Sequence, residues 1–343
     1  MGVAFKDLIV SNEVDLDFFK GKTIILDGNN VLYQFLTTIR GRDGALLTDS
    51  KGNVTSHLLG LFTRTTSLMN KGLRLAFVFD GKAPELKQRT REKRKALKVE
   101  AERKFMEAKK KEDLGEMKKY ASRTSRLTRG MIEESKKLIS FLGLPVVQAP
   151  SEGEAQAAYM VKDGGGFGVG SQDYDSLVHG ATKLVRNLSI AGKRKKGKSP
   201  AYITIKPEIM DLAENLNNLG IDQNQLIALA MLIGTDYNPG GIKGIGPKNA
   251  LKFVRKHKTN FGVLFKEVNW TKNFDFSWEE TYYLIKKIPV EKTYSLKWES
   301  MQEDKIRELL VEEHDFSRER VESSLGKLNK KTQSKQQKSL TDF

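Results

Sequence analysis

Seven acidic residues lie at the ends of predicted strands, at the start of a predicted helix or, for the last one, directly after a buried helix: Asp27, Asp80, Glu152, Glu154, Asp173, Asp175 and Asp236. If these carboxylates lie close together and unpaired, they repel one another, and some of them hold protons. Divalent cations resolve this conflict, because Mg²⁺ prefers carboxylate and water oxygens as ligands. Two such ions about 3.5–4 Å apart could stabilise the attacking and leaving oxygens of a phosphodiester displacement. The set therefore indicates a metal-dependent nuclease.

Each of these carboxylates also has a purely structural interpretation. Ser151 fits the N-cap of a helix whose third residue is Glu154, which is the capping-box pattern. Asp27 and Asp80, each taken alone, are typical turn residues after strands. The metal-site interpretation is favoured by the complete set of seven in a basic chain.

The composition points to a polyanionic partner. Lys and Arg number 59 against 43 Asp and Glu, so the net charge is +16. The absence of Cys excludes disulfides, thiolate metal sites and a Cys nucleophile, and four scattered His do not suggest a zinc cluster. The N-terminus carries no apolar signal region, and no apolar run reaches the length of a membrane span. We expect an intracellular, soluble protein, cytoplasmic or nucleoid-associated, without a membrane partner.

The elements that would position the acids alternate along the chain. Strands are predicted at 23–27, 75–80, 144–148 and 167–171, with helices between them. This alternation predicts an α/β fold with a mostly parallel central sheet flanked by helices. Function in such sheets gathers at the carboxyl ends of the strands, which is where the acids are. We expect one domain over residues 1–325 and a disordered Lys- and Gln-rich tail over 326–343.

The segment 81–131 differs from the rest of the chain in its charge. It holds 18 Lys or Arg against 8 Asp or Glu, and its apolar residues are too sparse for a buried stripe. It is predicted to form helices that stand off the core. A solvated, charged helix pair is the plain alternative, but the strong excess of one sign equally favours a polyanion-binding surface.

A glycine-rich hairpin over 240–250 predicts a phosphate-binding element. Its sequence, GGIKGIGPKNA, places Pro247 in the first turn of a following helix. Amides at that helix start could bind a DNA phosphate, which reads the backbone and not the base sequence. An ordinary glycine-rich turn is the alternative. The residues predicted to contact DNA here are Gly241, Lys243, Gly244, Gly246 and Lys248.

Taken together, these motifs resemble the archaeal type of flap endonuclease, in the structure-specific 5′ nuclease superfamily. The resemblance spans nearly the whole chain in family order. It rests on ILDGNNVLYQF (25–35), TSHL (55–58), VFDGKAP (78–84), QAPSEGEAQA (148–157), SQDYDS (171–176) and GTDYNPGGIKGIGP (234–247).

The resemblance implies roles for particular residues. The seven acids would hold two Mg²⁺ ions, for which Mn²⁺ can substitute, directly or through water. Lys87 and Arg94, seven residues apart at the start of a helical arch over 81–131, would contact the scissile phosphate. Tyr33 would stack on a base, Arg64 would contact the DNA backbone, and the amine of Gly2 would lie near the site. A helix–two-turn–helix element over 222–256 would grip duplex DNA and, in some members, a K⁺ ion.

The implied function is a monomeric 5′ flap endonuclease with 5′–3′ exonuclease activity. It would hydrolyse a phosphodiester at the junction of branched DNA in replication (Okazaki fragment processing) and in repair. One alternative is a superfamily relative that acts in excision repair or as a 5′ exonuclease. Another, from a different class, is a catalytically silent DNA-binding adaptor for a sliding clamp.

The C-terminus carries a pattern typical of sliding-clamp ligands. Gln337, Leu340 and Phe343 have the Q-x-x-L-x-x-F spacing, and one helical turn places Leu340 and Phe343 on the same face. The usual peptide ends in two aromatic residues, whereas this chain ends after one. A Lys- and Gln-rich tail could also produce this spacing by chance.

Overall fold

The structure is a computed structural model that describes residues 3–111, 113–190, 192–195 and 202–341. Gly2 and Phe343, for which contacts with DNA and with a clamp are predicted, lie outside these ranges. Within them, every helix is too short or too polar to cross a membrane.

The described residues form nine strands in two sheets. Their bounds are β1 (Asn12–Glu13), β2 (Thr23–Asp27), β3 (Arg74–Phe79), β4 (Val146–Gln148), β5 (Gly168–Gly170), β6 (Lys183–Arg186), β7 (Gly192–Lys195), β8 (Tyr202–Ile205) and β9 (Glu208–Asp211). Seven of them form one sheet in the order β1-β9-β6-β5-β2-β3-β4, and β7 and β8 form a separate hairpin. The pairs among β2 to β6 are parallel, while β9 and β1 add an antiparallel edge. The predicted mostly parallel α/β fold is confirmed.

Helices cover both faces of this sheet and form the arch. Their bounds are α1 (Gly28–Thr38), α2 (Ser56–Asn70), α3 (Gln88–Lys110), α4 (Leu114–Ala121), α5 (Arg129–Phe141), α6 (Gly153–Lys162), α7 (Asp175–Val178), α8 (Leu212–Leu219), α9 (Gln223–Ile233), α10 (Pro247–His257), α11 (Phe261–Glu267), α12 (Trp270–Asn273), α13 (Trp278–Lys286), α14 (Glu303–Arg307) and α15 (Arg318–Thr341). Short 3₁₀ turns lie at Leu16–Phe19, Glu85–Lys87, Ser122–Thr124 and Leu188–Ile190, and a π-helical segment lies at Glu308–Glu313.

The register of the central strands brings their carboxyl ends to one edge. Asp27 of β2 pairs with Val78 of β3, and Leu26 pairs with Gly170 of β5, all in parallel. The apolar side chains of these strands are buried on both faces, as is usual for a parallel sheet covered by helices. Each buried Leu or Ile contributes about 1.5–3 kcal/mol. The packed core therefore keeps the carboxyl edge of the sheet, where the acids lie, in a fixed position.

The arch is helical, as expected, but it does not simply stand off the core. Its helices α3 and α4 pack on each other through small and apolar side chains that are buried between them, among them Ala101, Ala108, Met117 and Ala121. Near the base of α3, the Thr90 hydroxyl donates a hydrogen bond to the Asp236 carbonyl at 2.6 Å. The base of the arch is thus attached to the carboxylate edge of the sheet.

The C-terminal segment differs from the expected disordered tail. Helix α15 continues through residues 326–341, so the backbone of Gln337 and Leu340 is helical. This stretch contains no proline, its single glycine is Gly326, and it is rich in Lys and Gln, which are favourable helix formers. A Lys- and Gln-rich composition is compatible both with disorder and with a helix. Charge and polarity alone therefore did not distinguish these two states.

Candidate active site

All seven predicted carboxylates line a single cleft of about 520 Å³ at the carboxyl edge of the sheet. They reach it from different elements, since Asp27 ends β2, Asp80 follows β3, and Asp236 follows α9. The two arch residues Lys87 and Arg94 line the same cleft. The sequence-based expectation that these groups come together agrees with this arrangement.

The first two acids are oriented by backbone amides. Asp27 is the N-cap of α1, and its carboxylate accepts a hydrogen bond from the Asn30 N–H at 3.0 Å. The carboxylate of Asp80 accepts from the Gly153 N–H at 2.7 Å, at the start of α6. A Cβ at position 153 would lie 2.9 Å from that Asp80 oxygen, so a side chain there would require this carboxylate to shift.

The predicted capping box at the start of α6 is wrong. Glu152, and not Ser151, is the N-cap residue, and no side-chain capping bond forms there. The Asp80 carboxylate takes the orphan Gly153 N–H from outside the helix instead. Glu154 is consequently not tied to a cap, and its carboxylate receives a 3.4 Å hydrogen bond from the Ser171 hydroxyl.

The next two acids are held by residues that are far away in the sequence. The Asp173 carboxylate accepts a hydrogen bond from the Asn30 side-chain amide at 2.8 Å. The Asp175 carboxylate accepts one from the Val3 backbone N–H, also at 2.8 Å. Each acid therefore keeps a fixed position while part of its oxygen surface still faces the cleft.

Two basic residues of the arch bind the remaining acids. The Lys87 ammonium donates a hydrogen bond to Glu152 and lies 3.2 Å from a carboxylate oxygen of Asp236. The Arg94 guanidinium is hydrogen-bonded to the other oxygen of Asp236. These charge-assisted contacts place two cations directly against the carboxylate layer.

The electrostatics of the cleft show a surplus of negative charge. Burial, reinforced by the neighbouring Asp80, raises the pKa of Asp27 to about 8. Burial also raises the pKa of Asp175 to about 6, against the hydrogen bond from Val3. Burial and the charge of Asp175 raise the pKa of Glu154 well above its ordinary value, and burial raises the pKa of Glu152 in spite of Lys87. Carboxylates that hold protons near neutral pH can release them to solvent when a cation binds in their place.

The donor set fits hard divalent cations. It offers only carboxylate oxygens, which Mg²⁺ prefers, and it lacks sulfur ligands because the chain has no Cys. Among the described residues no three acidic or histidine side chains already surround one point as ion ligands. Mg²⁺ usually keeps several waters and takes only one or two carboxylates directly, so such a closed cage is not required.

Two further residues that are predicted to contact DNA differ in whether they line the cleft. Tyr33 stands in the cleft wall with 39 % of its surface exposed, and the Lys98 ammonium lies 5.0 Å from its ring centroid. Arg64 is exposed on α2 and is not part of the cleft wall. Of the two, therefore, only Tyr33 lines the cleft together with the acids.

The glycine-rich hairpin connects α9 and α10. Gly241 has a φ of +60°, and a Cβ there would lie 2.3 Å from the Leu232 carbonyl oxygen, so a side chain is excluded. Helix α10 begins at Pro247 with Gly246 as an N-cap that has no side-chain capping bond.

The lysines of the hairpin face solvent beside the start of α10. Lys243 and Lys248 are both exposed, and Gly244 has a φ of +86°. The Lys243 backbone N–H donates a 3.3 Å hydrogen bond to the Asn273 side chain. The predicted phosphate-binding geometry is therefore compatible with the hairpin as folded.

Several residues that orient the acids were missed by sequence reasoning. Asn30 bridges Asp173 and the Gln172 N–H, and Asn29 accepts a hydrogen bond from the Asp80 N–H at 3.4 Å. The polar pair Asn29–Asn30, directly after Asp27, was the available signal. Val3 offered no signal, because its contact is made by the backbone.

Comparison with known proteins identifies the fold family. The family model of the XPG N-terminal domain matches residues 2–101, and the model of the XPG I-region matches residues 143–236. The first match contains Asp27, Asp80, Lys87 and Arg94. The second contains the other five acids.

Curated relatives align with the chain from end to end. Flap endonuclease 1 of Thermofilum pendens is 49 % identical, with 98 % of both chains covered. Flap endonuclease 1 of Thermococcus onnurineus is 47 % identical, with 100 % of this chain and 99 % of the relative covered.

Solved structures agree with these relatives. Flap endonuclease-1 from Methanococcus jannaschii superposes with a TM-score of 0.74 and is 43 % identical, covering 95 % of this chain and 98 % of its own. The catalytic core of Rad2 in complex with DNA substrate superposes with a TM-score of 0.68 at 25 % identity, covering 96 % and 100 %. Similarity of this extent establishes a nuclease that hydrolyses phosphodiester bonds at 5′ flaps, and dependence on divalent metal is typical of the fold. The chain belongs to the flap endonucleases of the XPG family.

Proposed function

We propose that the cleft holds two Mg²⁺ ions and that the enzyme cuts one phosphodiester at the base of a 5′ flap in branched DNA. The observation that carries this proposal is the set of seven carboxylates at one sheet edge, several of them with raised pKa values. The proposed ligands, direct or through water, are Asp27, Asp80, Glu152, Glu154, Asp173, Asp175 and Asp236. When bound, the ions supply Lewis acidity that activates a water and neutralises the phosphate.

The protein's own cations act on the same phosphate. Lys87 and Arg94 hydrogen-bond Glu152 and Asp236, two of the proposed metal ligands, at the base of the arch. An incoming phosphate can take these donors from Glu152 and Asp236, because a phosphate oxygen is an equally good charged acceptor. The two side chains would then stabilise the charge that develops on the scissile phosphate. Since both cations belong to the arch, the position of the arch would determine whether Glu152 and Asp236 are paired with these cations or available to a metal ion.

The DNA would be held by shape and not by sequence. Tyr33 would stack on the base beside the cut, and Arg64 would contact the backbone of the duplex on the α2 side. The hairpin would bind the other duplex through its phosphates, with contacts from Gly241, Lys243, Gly244, Gly246 and Lys248. This helix–two-turn–helix element would also bind a K⁺ ion. A backbone grip of this kind fits an enzyme that must accept any flap sequence.

The ends of the chain complete the proposal. The amine of Gly2 would lie near the active site, since the Val3 N–H binds Asp175. Gln337, Leu340 and Phe343 would dock into an apolar pocket of a replication sliding clamp, with the enzyme itself a monomer near the nucleoid. Deletion of 337–343 should leave cleavage without the clamp unchanged and should remove stimulation by the clamp. Equal stimulation of both chains would exclude the tail as the docking site.

Product mapping tests the proposed reaction. Labelled flap, nicked, gapped and blunt duplexes should be incubated with the full chain in Mg²⁺, in Mn²⁺ and in EDTA. We expect one cut at the flap junction in either metal, weaker stepwise 5′–3′ trimming of nicks, and no product in EDTA. Cleavage that persists in EDTA, or cuts spread over blunt duplex, would contradict the proposal.

A further inference from the structure

A second, much smaller pocket adjoins the carboxylate cleft. Its volume is about 20 Å³, and four of the cleft acids also line it. On its other side stand His179, Thr235 and Tyr237, which are not part of the cleft wall. The pocket therefore lies next to the layer of carboxylates, within reach of groups to which the proposed mechanism gives no role.

His179 brings an unsatisfied polar atom to this pocket. Its Nδ1 is enclosed and, within the described part of the chain, has no hydrogen-bond partner. The ring also interacts with the backbone of Ile285, another residue of the pocket wall. Burial lowers the pKa of His179 to about 4, so the ring is neutral at pH 7 and Nδ1 can act as an acceptor.

The position of His179 relative to the acids is fixed by helix α7. Asp175 is the first residue of this helix, and His179 is its C-cap, one turn further on. Residues four apart lie on the same helix face, and both side chains line the pocket. One oxygen of Asp175 is engaged by the Val3 N–H, so the carboxylate has a second oxygen to offer to other partners.

Size and polarity make this pocket suitable for one water molecule. A buried water needs about 10–15 Å³ of accessible volume and two to four polar partners. A buried nitrogen without a partner costs about 1–3 kcal/mol, and such atoms in folded proteins are nearly always satisfied. A water that donates one hydrogen to Nδ1 of His179 can donate the other to a carboxylate in the wall.

We propose that His179 is a positioning residue that holds one ordered water against the carboxylate layer, and that this water orients Asp175 toward the metal. The inference rests on the proposed role of Asp175 as a metal ligand. Groups that orient ligands in this way typically change metal affinity or activity by 10- to 100-fold when they are replaced.

The test compares two substitutions at position 179 in the full chain. His179→Phe fills the pocket and removes the acceptor, whereas His179→Gln keeps a hydrogen-bonding group beside the water. Calorimetric titration with Mn²⁺ alone should show about tenfold weaker binding for the Phe variant, and affinity within about threefold of wild type for the Gln variant. In single-turnover cleavage the Phe variant should need about tenfold more Mg²⁺ for half-maximal rate, with a smaller change in the maximal rate.

Controls separate this role from packing. His257→Phe makes the same change at another largely buried histidine, far along the chain in α10, and should leave Mn²⁺ affinity unchanged. Melting temperatures should be compared throughout, and His179→Leu serves as the apolar variant if the Phe chain does not fold. Wild-type Mn²⁺ affinity in the apolar variant, or equal loss in the Gln and apolar variants, would overturn the assignment. A wild-type chain that binds no Mn²⁺ would contradict the metal proposal itself, and the role of His179 would fail with it.

Discussion

Two regions of the molecule concentrate ionisable side chains, and they treat them in opposite ways. One is the carboxylate cleft. The other is a buried polar cluster formed by Asp49, His57, Glu134 and His314, where α2 and α5 meet the segment before α15. In the cleft, burial and like charge raise carboxyl pKa values. In the cluster, burial raises the pKa of Glu134, but hydrogen bonds lower that of Asp49.

Asp49 shows how the cluster compensates its charge. Its carboxylate accepts hydrogen bonds from the N–H groups of Lys51 and Asn53, from the Asn53 amide and, at 2.9 Å, from the His314 ring. Burial alone would raise the pKa of Asp49, but these donors lower it to about 2. The charge is therefore a stabilising feature, and it ties the 49–53 loop to the C-terminal part of the chain.

The contrast separates structure from function. In the cluster, fixed donors surround the Asp49 carboxylate, so this charge is compensated by the protein itself. The cleft brings several buried acids close together, and the repulsion between them costs stability unless protons or cations are bound. Strained electrostatics of this kind are typical of active sites.

The largest expected effect comes from removing a cleft acid. Asp80→Ala and Asp173→Ala should each lower the single-turnover rate on a flap substrate by about 10³-fold or more, the scale seen when groups act as a unit. Affinity for DNA should stay the same or increase, because repulsion of the phosphate is relieved. Rapid-quench kinetics and fluorescence anisotropy measure the two quantities. Asp17→Ala, an exposed acid outside the cleft, should behave as wild type.

A smaller loss is expected at the arch. Arg94→Ala should lower the single-turnover rate by about 10²-fold, the scale of one preorganised donor, with little change in DNA affinity. Arg103→Ala is a matched control, because Arg103 lies on the same helix but pairs with Glu100 and Glu107 at the surface and does not line the cleft. If Arg94→Ala instead weakens DNA binding and leaves the single-turnover rate unchanged, Arg94 only binds a phosphate and does not take part in catalysis.

Stability should respond in opposite directions in the two regions. The folded-state pKa of Asp27, about 8, exceeds its unfolded value, so the native state binds more protons and loses stability as pH rises from about 4 to 8. Asp27→Asn should therefore raise the melting temperature at pH 8 by several degrees, at about 2–4 °C per kcal/mol.

The same substitution in the cluster has the reverse sign. The folded-state pKa of Asp49, about 2, lies below its unfolded value, so its stabilisation is present above about pH 4 and is lost between pH 4 and 2. Asp49→Asn should lower the melting temperature at pH 7 and at pH 8. Equal shifts for both variants, measured by calorimetric melts, would remove the contrast between the regions.

Much of the architecture could be predicted from local patterns. The alternation of apolar segments and helices predicted a parallel sheet. Acids that follow the strands of such a sheet share its carboxyl edge, so a cleft lined by acids could be predicted as well. The capping box at Ser151 failed because α6 begins only at Gly153, whose N–H is bound by the carboxylate of Asp80, 73 residues earlier, and not by a local capping side chain. Local spacing contains no information on such a competitor.

Other parts of the site depend on contacts that no local pattern reveals. Val3 reaches Asp175 across 172 residues, and Asn30 reaches Asp173 across 143. The role we infer for His179 depends on a pocket of one water's size, which exists only after α7, α9 and α13 have packed. Residue types predicted the chemistry, whereas tertiary packing determined the residues that support it.

The most direct test of the metal assignment is the effect of Mn²⁺ on thermal stability. A ligand that binds only the native state stabilises it by about 2.7 kcal/mol at 100 times its dissociation constant. We predict that the melting temperature of the wild-type chain and of Asp49→Asn rises progressively with Mn²⁺, and that of Asp80→Ala and Asp173→Ala rises much less. An equal rise in all four chains, or none in the wild type, would contradict the claim that the cleft is the metal centre.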